Sequence, residues 1–70
     1  MIVKFESAED ETTLDMRPEW PIPRVGEYLD WRVVGPNQLP QGVYRVGRVT
    51  YLFTHGTMQV GLGVELVASI

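Results

Sequence analysis

The 70-residue sequence contains no cysteine and a single histidine, His55. The first absence excludes disulfides and every thiolate-held metal site, and the second excludes a histidine-rich one. No stretch approaches the roughly 20 apolar residues that a membrane span needs. The opening Met1-Ile2-Val3-Lys4-Phe5-Glu6 has too short an apolar run for a signal peptide and lacks a small-residue cleavage site. These absences predict a cytoplasmic chain with no membrane contact, no metal and no cofactor. Helical periodicity is missing as well, so the apolar residues, 44% of the chain, must be organised by strands.

One domain over residues 1–70 is the expectation, and a small one. A chain of this length buries only about 60% of its unfolded surface, and a single core of that size rarely supplies more than about 3–5 kcal/mol. With neither disulfide nor metal to help, the remaining supports are tight packing, self-association or a bound partner. Charge is distributed unevenly. Residues 1–20 hold six acids (Glu6, Glu9, Asp10, Glu11, Asp15 and Glu19) against Lys4 and Arg17, whereas residues 21–70 hold four arginines against three acids, for a net charge of −3. An acidic arm on a nearly neutral body disfavours direct nucleic-acid binding, which needs a basic excess.

Along the chain, Val3 and Phe5 alternate with Lys4 and Glu6 as a half-buried strand does. Residues 7–12 read as an acidic loop, and 13–17 alternate weakly as a short edge strand. Pro18, Pro21 and Pro23 each remove a backbone donor and fix φ, which makes 18–24 an extended connector. From Val25 a strand pattern puts Leu29, Trp31 and Val33 on one face, with Tyr28, Asp30 and Arg32 on the other. Residues 35–42 form a turn-rich loop, and two long strands follow.

The final hairpin is the sharpest local inference. His55-Gly56 has the length of a two-residue turn, with glycine suited to positive φ. That turn sets Phe53 opposite Met58, Tyr51 opposite Val60 and Val49 opposite Leu62, all apolar and all on one face. Uninterrupted pairing would carry Arg45 into the core. A one-residue bulge near Gly47 corrects this, pairing Val46 with Val64 and Tyr44 with Leu66 and setting Arg45 opposite Glu65. The expected fold is all-β: a small barrel or rolled antiparallel sheet of four to five strands, its long-strand core in 25–69. The strand-and-turn rhythm from Val25 to Ser69 resembles small SH3-like barrels as a fold type, and a fold type carries no function of its own.

No catalytic constellation emerges. His55 sits at a turn with no nucleophile fixed beside it. Glu9-Asp10-Glu11 lacks the ligand spacing and central glycine of a calcium loop. Gly61-Leu62-Gly63 lies in a strand with no helix after it, so it is no phosphate loop; it leaves one face of that strand bare for bending or for close approach by another chain. Pro18-Glu19-Trp20-Pro21 satisfies a bare P-x-x-P without correctly placed flanking basic residues.

The sequence therefore predicts a protein-protein interaction module and not an enzyme. Its expected contact residues are Glu9, Asp10, Glu11, Asp15, Trp20, Tyr28 and Arg32, set against a larger protein with a basic surface. A compact acidic chain of this size fits a phage- or prophage-type inhibitor, presenting carboxylates where phosphates would sit on a nucleic-acid-handling protein. Two other readings stand beside it. One is a homo-oligomeric structural subunit, such as a ring or virion component, motivated by the small core and the glycine-lined strand. The other is a nucleic-acid-binding barrel using Arg32, Arg45 and Arg48, which the net charge disfavours. Trp20 either joins Tyr28 and Arg32 at the surface or packs over them with the proline connector.

Overall fold

The computed structural model describes residues 1–69; Ile70, the last residue of the expected domain, lies outside them. Five strands make up the regular structure: β1 (Ile2–Glu6), β2 (Glu11–Asp15), β3 (Tyr28–Trp31), β4 (Gly42–Thr54) and β5 (Thr57–Ser69). They form one sheet in the order β2-β1-β5-β4-β3, curled into a half-barrel, with no helix among the described residues. The expected small rolled sheet is therefore present, with one correction. The sheet is mixed, because β1 lies parallel to β5 with Val3 beside Val60 and Phe5 beside Leu62. Parallel neighbours require a long crossover connection, and here everything from β2 to β4 serves as that crossover. The N-terminal strand is thus central to the sheet and contributes to its core.

The β4-β5 hairpin has the anticipated register. His55 and Gly56 both take positive φ (45° and 81°), as a type I′ turn demands. Phe53 faces Met58, Tyr51 faces Val60 and Val49 faces Leu62. The register shifts between Val46 and Arg48, so Gly47 is the bulge, and beyond it Val46 faces Val64, Arg45 faces Glu65 and Tyr44 faces Leu66. Arg45 and Glu65 do not close into an ion pair; Lys4 and Arg48 converge on Glu6 instead, at 3.4 and 4.0 Å. A second shift at Val43 and Tyr44, which the alternation does not announce, leaves Val67 between the partners Leu66 and Ala68.

Two strand boundaries differ from the sequence pattern. The strand expected from Val25 begins only at Tyr28, because Arg24–Glu27 closes a turn in which Glu27 N–H donates to the Arg24 carbonyl at 3.0 Å and Gly26 takes φ 93°. It ends at Trp31, whose partner Gly42 is the first residue of β4; Val33 and Val34 have nothing left to pair with and are exposed. Strand β2 starts two residues earlier than its weak alternation suggests. The acidic loop closes tightly, with Ser7 N–H donating to the Asp10 carbonyl at 2.8 Å, so Glu11 already pairs with Glu6.

The core gathers one face of the sheet: Val3 and Phe5, Trp31, Tyr44 and Val46, and Val60, Leu62 and Val64. Phe5 and Trp31 pack as a tilted aromatic pair with centroids 5.0 Å apart. The 35–41 loop closes this face, tucking Leu39 inside and anchored by the Tyr44 hydroxyl, which donates to the Pro40 carbonyl at 2.6 Å. Burial without easy solvation, and secondarily the charge of Asp10, raises the Tyr44 pKa. The Trp31 indole N–H finds no acceptor in this core, an omission that ordinarily costs about 1–3 kcal/mol.

Candidate functional site

Strands β4 and β5 are 13 residues long, while β1, β2 and β3 have five, five and four. At about 3.3 Å per residue, short neighbours cannot flank the whole hairpin. Strand β1 accompanies β5 only over Val60–Gly63, and β3 accompanies β4 only over Gly42–Arg45, with Val46 bonded to Gly26 and Glu27 just beyond. The far half of the hairpin therefore projects as an arm, and both its outer edges lack backbone partners among the described residues. Its tip is held by the Thr57 hydroxyl, which donates to the Thr54 carbonyl at 2.7 Å.

The arm is apolar and exposed. Phe53 is 72% exposed, with Tyr51, Leu52 and Met58 also open to solvent. From Val49 to Val64 there is no Asp, Glu, Lys or Arg. Edges of this kind are usually guarded by a lysine, a proline or an inward-pointing charge; none is present here.

The proline connector approaches the arm from one side. Arg17-Pro18-Glu19-Trp20 is a β-turn with proline at its second position, where φ is already set, and Trp20 N–H donates to the Arg17 carbonyl at 3.1 Å. The turn brings the Arg17 guanidinium to 5.7 Å from the centre of the Trp20 ring, a cation-π arrangement. Pro21-Ile22-Pro23 then runs extended, with Ile22 packed against the core. Trp20, the prolines and Arg24 form one wall of a cleft of about 570 Å³, and Val49 and Tyr51 form the other. Trp20 is 51% exposed within it. The cleft has aromatic and aliphatic walls with an arginine at its rim. It is suited to gripping a side chain or an extended segment, and it contains no nucleophile and no acid-base pair.

The sequence-predicted contact residues are scattered. Glu9 and Asp10 stand exposed on the tight turn after β1, at the opposite end of β5 from the arm tip. Glu11 pairs with Lys4 at 3.2 Å, and Asp15 accepts from the N-terminal ammonium at 2.8 Å. The carboxylates of Glu11 and Glu6 together raise the Lys4 pKa. Tyr28 is exposed on β3, and Arg32 pairs with Asp30 at 3.1 Å just past that strand. Of the seven, only Trp20 borders the cleft. Sequence reasoning missed Tyr51, Phe53 and Met58 as surface residues because alternation assigned them to the same face as the core. The available signal was length, since two long strands were being matched to much shorter ones.

Among the described residues no cluster of three His, Asp or Glu side chains could hold a metal ion. No described helix is long and apolar enough to cross a membrane. Compared with protein-family models, curated proteins and solved structures, the chain matches none.

Proposed function

We propose that this chain is a non-enzymatic interaction module that binds a larger protein through the cleft between its proline connector and its hairpin arm. The observation carrying this reading is the uncharged, exposed arm, whose Tyr51 faces Trp20 across an open cleft. Trp, Tyr and Arg are the residue types that dominate binding energy at interfaces. An exposed, contiguous apolar surface of this kind on a small domain ordinarily marks such a contact. The test is affinity capture from native cell extract with the wild-type chain and with Trp20→Ala and Phe53→Asp variants. A partner retained by the wild type should be lost by both variants, and equal retention by all three would sink the cleft as the contact.

A second reading keeps the acidic end as the contact, in the manner of a phage- or prophage-type inhibitor with carboxylates in place of phosphates. It is favoured by Glu9 and Asp10, exposed side by side on a tight turn and outside the ion pairs that occupy Glu6, Glu11 and Asp15. Reversing only Glu9 and Asp10 tests it without disturbing those pairs. Lost capture with this variant and full capture with Phe53→Asp would select the acidic end over the arm.

A further inference from the structure

The face of the sheet turned away from the core carries a second depression, of about 520 Å³. We propose that it is a self-association surface that seats the same face of a second copy of this chain. Gly61 lines it, Ile2 and Leu52 supply its apolar parts, and Lys4, Glu6 and Arg48 its charged ones.

Gly61 is the first argument. A Cβ built there meets nothing nearer than the Thr50 carbonyl oxygen at 4.0 Å, and the residue does not occupy the positive-φ region that favours glycine. The fold does not need glycine at 61, and glycine within a strand weakens it. Gly63 differs, because the Arg48 side chain lies over it and a Cβ there would come within 3.2 Å of Arg48. The bare spot at Gly61 keeps the depression open with no benefit to the chain's own packing. It is a hole in need of a knob.

Charge and shape identify the occupant. Although the chain is net acidic, strand alternation places on this face the cations Lys4, Arg45 and Arg48, interleaved with the acids Glu6, Glu11, Asp15 and Glu65. A strongly acidic or basic partner would meet nearly as many like charges as opposite ones. A two-fold copy of the face can set cations against acids reciprocally, which is the self-complementarity an isologous dimer requires. Leu52, more than half exposed on the same face, is the knob available to fill the space over the other copy's Gly61. Four strands at the usual spacing of about 4.8 Å, on a molecule 38 Å in its longest dimension, offer at most about 700 Å² per copy, below the ~800 Å² of standard interfaces. Association is therefore weak and concentration-dependent.

This surface is independent of the cleft proposed above, and the variants separate the two. Sedimentation velocity of the full chain from about 10 μM to 1 mM should show a monomer passing to a dimer. Gly61→Val should weaken association at least tenfold while thermal denaturation shows a midpoint equal to or above that of the wild type. Leu52→Asp, an exposed substitution, should abolish the dimer as well, and Phe53→Asp, on the opposite face of the arm, should leave it intact. A wild-type chain that stays monomeric at 1 mM overturns the proposal. So does a folded Gly61→Val that dimerises normally, or a dimer that Phe53→Asp destroys and Leu52→Asp spares.

Discussion

Tyr44 and Tyr51 lie on the same face of β4, on either side of the Gly47 bulge, yet Tyr44 is 1% exposed and Tyr51 49%. The difference lies in what surrounds each half of the hairpin. At the base, β1 flanks β5, β3 flanks β4, and the 35–41 loop with Leu39 closes the face. Toward the tip this face is approached by the proline connector, which leaves an open cleft beside Tyr51. A two-stranded ribbon does not bury its own apolar face, so one face of the hairpin is core at one end and exposed apolar surface at the other. Alternation fixes which residues share a face. It does not fix whether anything covers that face.

The largest effect that could break this comparison is a pair of truncations. Leu62→Ala, in the base, should cost about 2–5 kcal/mol in urea denaturation, the range for buried leucines. Phe53→Ala, in the tip, should change stability by no more than about 0.5 kcal/mol, as exposed substitutions do. A Phe53→Ala cost near that of Leu62→Ala would mean that the arm is packed in the monomer, and the distinction would fall.

Two glycines sharpen it at the next level. Gly42 opens β4 at the base, where a Cβ would lie 2.6 Å from the Ala68 carbonyl oxygen and equally close to Leu66 Cδ1. Gly42→Ala should therefore destabilise by about 1–3 kcal/mol, as overpacking does. Gly61→Ala, with open space around its Cβ, should be neutral or stabilising by up to about 1 kcal/mol. Chemical denaturation of both variants reads the contrast directly, and equal costs would show that Gly61 is structurally constrained after all.

Much of the fold was legible because short-range rules sufficed. His55-Gly56 set the register, and the cost of burying Arg45 located the bulge at Gly47. What stayed hidden depended on partners distant in sequence. Nothing local marks β1 as parallel to β5, because either direction of pairing presents Val3 and Phe5 to the core. The end of β3 at Trp31 is set by where β4 begins, and not by the apolar Val33 and Val34 that continue its pattern. The residues proposed for contact were harder still. Composition singled out the acids, but two of the four are engaged by Lys4 and the N-terminus, and the exposed aromatics of the arm look like core until the lengths of neighbouring strands are compared.

The smallest effect returns to the two tyrosines. Tyr44→Phe removes the 2.6 Å hydrogen bond to Pro40 and should cost about 1 kcal/mol at neutral pH, whereas Tyr51→Phe at the exposed end should cost nothing measurable. Alkaline pH separates them further. Burial raises the Tyr44 pKa above its ordinary 10, so the unfolded chain gives up that proton before the folded chain does. Above pH 10 the native state binds more protons, and stability must fall as pH rises. The contribution is fully present below pH 10 and is lost as pH rises through the folded-state pKa. Urea midpoints measured from pH 8 to 11 should thus decline more steeply in the wild type and in Tyr51→Phe than in Tyr44→Phe. If Tyr44→Phe declines just as steeply, water reaches the Tyr44 hydroxyl, and the base of the hairpin is no drier than its tip.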